Sequence, residues 1–598
     1  MDVIYYNGNF KGSGINGKKI TAVAIKNSRF AQFGRDDEII KLKNNLTQLI
    51  DLNKKTVIPG LNDSHIHLIR GGLNYNMELR WDDIHSLSDA LYMLKEQADR
   101  TPEPQWVRVV GGWSEFQFKE RRMPTLEEIN TVSKDTPVFV LYLYDRALLN
   151  KAALNAIGYD KNTQEMPGTM IQRDKQGNPT GMLIAHPNAM ILYSALAKGP
   201  KLTHKDQINS TLQFMRELNR LGITSVIDAG GGFQNYPNDY EIIESLHKEN
   251  RLTVRIAYNL FTQRPRYELE DFTQWTKISK YKQGNEYYRH NGAGEMLVFS
   301  AADFEDFLQP RPNLSSTMEK ELEPVVRVLA ESNWPFRLHA TYDETISRVL
   351  TVYEHIHTQT PIDKLHWFFD HAETISDQSI ERVKKLGGGI AIQNRMAFQG
   401  EYFINRYGAK QAEHTPPIKK IIEAGIPVGM GTDATRVSSY NPWLCLYWLT
   451  TGKTVGGQAL YSEDNILSRE KALELYTQGS AWFSAETDSK GSFLPEQLAD
   501  FAVLSQDYFQ VADEEIKDIY SLMTVVGGQI VHASANFSKY NPPLLPVSPS
   551  WSPVNYYGGY HHDKVLHSAA QVAHQHHKHS SSCTHHLWQW GGCFCWAF

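Results

Sequence analysis

Apolar runs and amphipathic stretches alternate along the middle of the chain. Thr203 is a suitable N-cap for a helix that Gly222 ends, and the apolar residues between them recur every three or four positions. Eight strands alternate with such helices, which predicts an α/β fold, a (β/α)8 TIM barrel with its chemistry at the carboxyl ends of the strands. The first strand ends at His65, and the others are Thr224–Ile227, Thr253–Tyr258, Met296–Phe299, Phe336–His339, His366–His371, Gly389–Gln393 and Ile426–Met430.

Shorter strands near both ends indicate a second structural unit. The turn Asn7-Gly8, between apolar runs, is typical of a hairpin. We therefore expect residues 1–56 and 485–540 to build one small β domain beside a barrel of residues 57–484, with an insertion at about 70–200 that contains a strand at Val138–Tyr144. The strands expected at the ends are Val3–Tyr6, Ile20–Ile25, Leu49–Leu52, Ala499–Leu504 and Met523–Val531.

Polar side chains recur where the predicted strands end. His65 and His67 are two positions apart, so an extended backbone points both imidazoles the same way. His339, His371 and Asp433 end three later strands, and nitrogen and oxygen ligands at one rim suit Zn²⁺ with room for a bound water. Taken singly, each histidine could be an ordinary hydrogen-bonded residue, but five candidates at equivalent strand ends favour a metal site.

Composition narrows the class of partner. The 598 residues include 61 basic and 67 acidic side chains, a net charge of −6, without a sustained basic run, which disfavours nucleic acid or an anionic membrane as partner. The chain shows neither an export signal nor an apolar run of the ~20 residues that a membrane span needs, so we expect a soluble, cytoplasmic protein. Four cysteines do not make a disulfide framework. The sequence does not reveal the oligomeric state, and a homodimer is one option.

Several motifs, in order and spacing, resemble the amidohydrolase superfamily, in particular its branch of YtcJ-like proteins and N-substituted formamide deformylases. The resemblance spans residue 1 to about 540 and implies a barrel with a β-sandwich built from both chain ends, one or two divalent metal ions, and hydrolysis of amide or related C–N bonds in a small molecule. The motifs are Pro59-Gly60-Leu61-Asn62-Asp63-Ser64-His65-Ile66-His67, Gly111-Gly112-Trp113-Ser114-Glu115, Leu338-His339-Ala340, Asp370-His371, Gly431-Thr432-Asp433 and Leu498-Ala499-Asp500-Phe501-Ala502-Val503-Leu504.

One position departs from the superfamily's commonest pattern, in which a carboxylated lysine on the fourth strand bridges two metals. The predicted fourth strand, Gly294 to Ser300, contains no lysine, and Glu295 is the nearest carboxylate that could replace it as a metal ligand. A capping or surface role for Glu295 is equally compatible with the sequence. One metal or two therefore stays open.

The mechanism expected from these residues is attack by water on a carbonyl. A metal ion lowers the pKa of its bound water to about 7 and polarises the carbonyl, and Asp433 would act as general base and then general acid. Trp113 and Glu115 match the family's pocket motif, and Asn394 and Arg395 could bind a carbonyl or carboxylate, with aromatic core and solvated loop as the alternatives. A deaminase, an ester-type hydrolase or a non-catalytic binding or signalling protein of the same fold are alternative functions.

Residues 541–598 differ in character from the rest. Nine histidines lie between His561 and His586, and Cys593 and Cys595 follow. Such a tract can bind metal without folding, which suggests a metal-acquiring or metal-buffering tail. A polar tail without function is the alternative.

Overall fold

The computed structural model describes residues 1–15, 17, 19–186, 189–232, 234–303, 307–308, 311 and 313–560.

Its first sheet has the strand order β4-β3-β1-β5. The turn Asn7-Gly8 does not form the predicted hairpin, because β1 and β2 enter different sheets and β2 pairs in parallel with β6. Asn7 instead donates to Asp51 at 2.7 Å. The strands are β1 (Val3–Tyr6), β2 (Asn9–Phe10), β3 (Ala22–Lys26), β4 (Arg29–Gly34), β5 (Gln48–Asp51) and β6 (Thr56–Pro59).

The strand that carries His65 is β7 (Leu61–Ile66), and a separate sheet follows it in the chain. This six-stranded sheet has the order β12-β13-β11-β10-β9-β8 and occupies the stretch that the sequence indicated as an insertion. Its strands are β8 (Glu78–Leu79), β9 (Val107–Val110), β10 (Val138–Tyr142), β11 (Arg146–Leu149), β12 (Thr169–Arg173) and β13 (Pro179–Ala185).

Seven further parallel strands follow, and with β7 they form two four-stranded sheets of order β16-β15-β14-β7 and β17-β18-β19-β20. A parallel bridge between Ala293 and Phe336 joins β16 to β17. Beyond the other edge, the Asp433 amide donates to the His65 carbonyl at 2.7 Å. Because each sheet is parallel, the carboxyl ends of its four strands lie at the same edge. The strands are β14 (Ile223–Asp228), β15 (Arg255–Leu260), β16 (Tyr288–Ala293), β17 (Arg337–Ala340), β18 (Phe368–His371), β19 (Gly389–Gln393) and β20 (Val428–Gly431).

The prediction of a fourth parallel strand at Met296–Phe299 was wrong. Met296, Leu297 and Val298 are buried in the loop after the strand, and Phe299 begins a short 3-10 helix, whereas the strand itself, β16, is rich in polar residues. Asn291 on β16 donates to the Phe483 carbonyl at 3.1 Å, which satisfies a polar side chain inside the fold. Glu295 therefore lies just past the carboxyl end of β16.

The two chain ends share one hydrophobic cluster. A five-stranded sheet of order β2-β6-β21-β22-β23 contains the last strands, β21 (Phe501–Leu504), β22 (Ser521–Val526) and β23 (Gln529–Ala533). Tyr5 packs against Phe501 with ring centroids 4.9 Å apart, and both belong to this cluster. The glycine turn Gly527-Gly528 divides the stretch expected as one strand at Met523–Val531 into β22 and β23.

Helices alternate with these parallel strands along the chain. The Thr203 hydroxyl accepts from the Asp206 amide at 3.2 Å and caps the helix His204–Arg220. No helix within the described part of the chain has the length and apolarity to cross a membrane. The α-helices of six or more residues are Leu68–Asn74, Leu87–Arg100, Leu126–Val132, Lys151–Ile157, Met190–Ala197, His204–Arg220, Glu241–Lys248, Glu268–Ile278, Met318–Glu331, Asp343–His357, Asp377–Lys385, Met396–Tyr407, Ile418–Glu423, Pro442–Thr451 and Arg469–Glu474.

The first twenty residues of the expected tail, 541–560, lie on the folded body. Asn209 donates to the Pro546 carbonyl at 2.8 Å, and Gln97 donates to the Trp551 carbonyl at 2.8 Å. The Tyr560 amide donates to Glu217 at 2.7 Å. The histidine-rich and cysteine-containing tract from His561 onward lies outside the described residues.

Candidate metal centre

Six buried side chains meet at the carboxyl ends of the parallel strands. They offer three groups of possible ligands, and within each group the ligand atoms lie within 4.8 Å of one another. All five residues that the strand-end pattern selected are present, and Glu295 is the sixth. The groups are His65 with His67 and Glu295, His65 with His371 and Asp433, and Glu295 with His339 and His371.

Glu295 is the carboxylate that the four imidazoles have in common. Its Oε2 lies 3.4 Å from His65 Nε2, 3.6 Å from His339 Nδ1 and 3.9 Å from His371 Nε2, and its Oε1 lies 3.7 Å from His67 Nε2. Glu295 is 8% exposed, so the surface interpretation does not hold. Nearby imidazoles, His65 first, outweigh burial and hold the pKa of Glu295 well below its usual value, so it is a carboxylate.

His65 is fixed from behind by a buried ion pair. Its Nδ1 lies 2.8 Å from Asp370 Oδ1 and 2.7 Å from Arg337 Nη2, and Arg337 and Asp370 bind each other. Burial lowers the pKa of His65, but Asp370 and the carboxylates on its other side raise it to about 9. The carboxylate contact at Nδ1 leaves Nε2 directed at Glu295 and Asp433, at 3.4 Å from each.

His67 is held by the backbone. Its Nδ1 donates to the Gly230 carbonyl, which leaves Nε2 facing Asp433 Oδ1 at 3.1 Å as a possible ligand. Burial and the neighbouring Arg70 lower the pKa of His67, which keeps the imidazole neutral. A neutral imidazole is the form that binds a metal.

His339 and His371 complete the histidine set. Among the described residues neither ring nitrogen of His371 has a hydrogen-bond partner, and burial and Arg395 lower its pKa to about 3. Its backbone has a positive φ of 81° as the strand ends. His339 Nε2 lies 3.5 Å from Oδ1 of the buried Asp303.

Asp433 connects the histidines to an arginine. Its Oδ1 lies 3.1 Å from His67 Nε2 and 3.4 Å from His65 Nε2, and its Oδ2 accepts from Arg395 at 2.8 Å. Burial raises its pKa, but Arg395 and then His65 outweigh that effect and hold the pKa well below the usual value. The carboxylate is therefore ionised, with one oxygen facing the imidazoles.

The chemistry of these side chains fits a divalent cation. Buried imidazole nitrogens without hydrogen-bond partners among the described residues, such as His65 Nε2 and both nitrogens of His371, are costly unless something binds them. A metal ion would bind the imidazoles in their neutral form, and neutral imidazoles with ionised carboxylates are a donor set that suits Zn²⁺.

The four expected substrate-binding residues divide into two groups. Arg395 binds Asp433, and the buried Asn394 has a side-chain amide without a partner among the described residues. Trp113 donates to the Leu141 carbonyl at 3.0 Å, and its ring packs in the aromatic core. Glu115 accepts from the Tyr402 hydroxyl. The structure thus brings Arg395 to the metal candidates, while the hydrogen bonds of Trp113 and Glu115 go elsewhere.

Sequence reasoning missed the residues that hold the ligands. Asp370 and Arg337, behind His65, and Asp303, near His339, belong to this group. Asp370 directly precedes His371, and strict strand alternation would place the two on opposite faces. Both reach the cluster because His371 ends the strand with a positive φ. The adjacent pair Asp-His was the available signal.

Comparison with known proteins places these motifs in a family. The model of the amidohydrolase family matches residues 48–532. YtcJ of Bacillus subtilis (strain 168) is 25% identical over 500 residues, which cover 81% of this chain and 90% of YtcJ. The N-substituted formamide deformylase of Arthrobacter pascens is 22% identical over 538 residues, which cover 88% of this chain and 97% of that enzyme.

Solved structures agree with this fold. An uncharacterised metal-dependent hydrolase from Pyrococcus horikoshii OT3 superimposes with a TM-score of 0.63 at 20% identity, covering 86% of this chain and 99% of its own. Atrazine chlorohydrolase TrzN from Arthrobacter aurescens TC1, in complex with zinc, has a TM-score of 0.51 at 12% identity and covers 95% of this chain and 99% of its own. The protein therefore has the mixed α/β fold of these hydrolases.

Proposed function

The chain belongs to the amidohydrolase family of metal-dependent hydrolases, and we propose that it cleaves a non-peptide C–N bond in a small amide, such as an N-substituted formamide. The observation that carries this proposal is the buried cluster in which Glu295 lies 3.4–3.9 Å from four imidazoles, with the ionised Asp433 beside two of them. The formamide preference follows the deformylase relative.

We propose that the site holds one or two divalent ions, with Zn²⁺ as the expected metal. His65, His67 and Glu295 would form one ligand set, and Glu295, His339 and His371 the other, with Asp433 next to both. When bound, such an ion acidifies a water molecule and polarises the carbonyl under attack. The zinc complex of TrzN supports this choice of metal.

Asp433 is the proposed general base and general acid. Arg395 engages its Oδ2, so Oδ1 is the oxygen that can take the proton of the attacking water. The water oxygen then bonds to the carbonyl carbon, the C–N bond breaks, and Asp433 returns the proton to the departing nitrogen. The products are a carboxylic acid, which ionises at neutral pH, and an amine.

The substitution Asp433→Asn tests this role. It keeps the shape of the side chain but removes the base, so kcat should fall at least ~100-fold on N-formylphenethylamine. Metal content, by elemental analysis, should stay the same as in the unchanged protein. Asp377→Asn, at an exposed carboxylate paired with Lys420, is the matched control. Near-normal turnover in Asp433→Asn would remove Asp433 from the mechanism.

The same assay separates the alternative reactions on this scaffold. A deaminase would release ammonia from an amine-bearing ring, and an ester-type hydrolase would cleave phenethyl formate faster than the amide. Release of phenethylamine as the preferred reaction supports the amide assignment.

The architecture around the site is also proposed. We propose that the eight parallel strands close into a (β/α)8 barrel, since backbone contacts occur at both junctions between their two sheets. The two sheets that share a core at the chain ends would then form the accompanying β-sandwich. We further propose a cytoplasmic enzyme, monomeric or homodimeric, that acts on a free small molecule and not on nucleic acid or a membrane.

A further inference from the structure

Two guanidinium groups near the metal centre have no acidic partner of their own. Arg70 is 9% exposed, and Arg436 lies on the loop that follows Asp433. Among the described residues neither side chain forms an ion pair or donates a hydrogen bond. Arg70 is buried and Arg436 is half-buried, and an unpaired charge that is withdrawn from water is costly, so two of them at one place need an explanation.

Both arginines border the candidate site. A Cβ placed on Gly231 would lie 2.7 Å from Arg70 Nη1 and 3.2 Å from His67 Nδ1, so Arg70 and His67 flank the same backbone position. The Arg436 guanidinium packs 4.7 Å from the centre of the Tyr193 ring. Loss of solvent and, after it, repulsion by Arg70 lower the pKa of Arg436 to about 9.

Two tyrosines lie between Arg436 and the arginine that binds Asp433. Tyr193 meets Tyr144 edge to face at 6.1 Å, and Arg395, which binds Asp433, lies 5.3 Å from the centre of the Tyr144 ring. The buried Tyr193 hydroxyl has no hydrogen-bond partner among the described residues. This hydroxyl can donate a hydrogen bond to a ligand, and the Arg436 guanidinium lies beside the same ring.

One carboxylate nearby does not balance this charge. Glu78 interacts with Arg70 and Arg436, but it also interacts with Arg80, whose Nη1 lies 3.7 Å away, and with Arg108. Arg80 has Asp82 as a second partner at 2.8 Å. Glu78 is thus shared, and positive charge remains in excess around the Tyr193 hydroxyl.

We propose that Arg70, Arg436 and the Tyr193 hydroxyl bind a carboxylate on the substrate, so that the preferred substrates are amides that carry a carboxylate, such as N-acyl amino acids. This inference rests on the proposed amide hydrolysis and names its substrate class. A carboxylate would supply the missing acceptors for two guanidiniums and one hydroxyl in a single group. A neutral amide would leave them unpaired.

Binding of a product-like probe tests the subsite without catalysis. Calorimetry on the full-length, metal-loaded protein would compare 3-phenylpropionate with 3-phenylpropionamide. We expect 3-phenylpropionate to bind more tightly, and Arg436→Gln and Arg70→Gln to weaken it about 10- to 100-fold while leaving the amide unchanged, since a hydrogen bond to a charged group is lost. Tyr193→Phe, which removes only a hydroxyl, should weaken it less. Arg251→Gln, at an exposed pair with Glu249, is the control.

Three results would overturn the proposal: equal binding of the two probes, unchanged 3-phenylpropionate binding in both arginine variants, or an equal loss in Arg251→Gln. Inorganic phosphate that binds more tightly than 3-phenylpropionate would overturn the carboxylate assignment. Tyr193→Phe keeps the test informative if an arginine variant does not fold.

Hydrolysis separates a failure of the subsite from a failure of the function. N-formylphenylalanine should have a higher kcat/KM than N-formylphenethylamine, and Arg436→Gln should reduce that preference about 10- to 100-fold. If neither amide reacts while 3-phenylpropionate binding depends on Arg436, the hydrolase proposal fails and the subsite stands. If the two amides react equally well and 3-phenylpropionate binding is the same in Arg436→Gln, the subsite proposal fails and the hydrolase proposal stands.

Discussion

At the scale of single residues, one candidate metal ligand, His65, is expected to be protonated when no metal is bound. His65 lies between Asp370 at Nδ1 and the carboxylates of Glu295 and Asp433 at Nε2, and its pKa rises to about 9. The metal-free protein therefore carries a cationic His65 at neutral pH. A metal ion needs the Nε2 lone pair and must displace that proton.

Zn²⁺ binding to the metal-free protein should release this proton and become tighter with increasing pH. Because the pKa of His65 is raised, the proton is bound below pH about 9, and the apparent affinity should rise about tenfold per pH unit between pH 7 and 8. Calorimetry in buffers of different ionisation enthalpy measures the protons released. Asp370→Asn, which removes the main carboxylate that raises the pKa, should reduce the release, and an affinity independent of pH would contradict the argument.

The residues that sequence could predict were those whose position follows from strand geometry. His65, His67, His339, His371 and Asp433 end apolar runs, and the ends of parallel strands converge. Arg337 could not be predicted, because it acts through a contact with His65 that joins distant parts of the chain, and for Asp370 the signal was its position directly before His371.

At the scale of elements, Gly60 is the junction between the two kinds of sheet. It lies between β6, in the five-stranded sheet, and β7, which carries His65. A Cβ at Gly60 would come within 2.1 Å of Thr224 Oγ1 and 2.5 Å of Thr224 Cγ2, on the neighbouring strand β14. The close approach of the strands at this point therefore requires glycine.

Gly60→Ala should lower the free energy of unfolding by about 1–3 kcal/mol, as expected for overpacking in a buried region. Thr224→Ala removes the two nearest atoms, so the double variant should recover part of the loss. Gly232→Ala, where the added Cβ meets open space, is the control. Denaturant unfolding of the four proteins measures the coupling, and additive effects of Gly60→Ala and Thr224→Ala would refute the clash.

The same scale shows where apolar pattern misleads. Met296, Leu297 and Val298 are apolar and buried, yet they form a loop, whereas β16 is a strand rich in polar residues. Periodicity reports burial, and a buried loop over a site gives the same signal as a buried strand. Glu295 nevertheless lies in the cluster. It follows Gly294, the first residue after β16, and so is close to the carboxyl end of that strand.

At the scale of the whole molecule, the two chain ends contact each other and the parallel strands. The sheets at the termini share one hydrophobic cluster, and Arg255 on β15 binds Asp500 at 2.7 Å. Strand pattern predicted that the two ends meet. It could not predict the attachment of residues 541–560, because several contacts of that segment are backbone carbonyls, which accept hydrogen bonds from distant side chains whatever the local sequence.

Truncation distinguishes this attached segment from the histidine-rich tract that follows it. A chain ending at Tyr560 keeps the contacts of residues 541–560 and should therefore melt within about 2 °C of the full chain. A chain ending at Tyr540 loses the hydrogen bonds from Asn209, Gln213 and Gln97 and should melt at least about 5 °C lower. Calorimetric melting of the three chains, each loaded with Zn²⁺, measures both effects.

Metal content of the same three chains separates the centre from the tail. If residues 561–598 bind metal independently, the full chain should contain more than the one or two equivalents expected of the chain ending at Tyr560. Equal content in these two chains would leave the tail without a metal-binding role. Absence of metal from the chain ending at Tyr560, purified without chelator, would contradict the assignment of the ligands at the strand ends, because that chain retains all six of them.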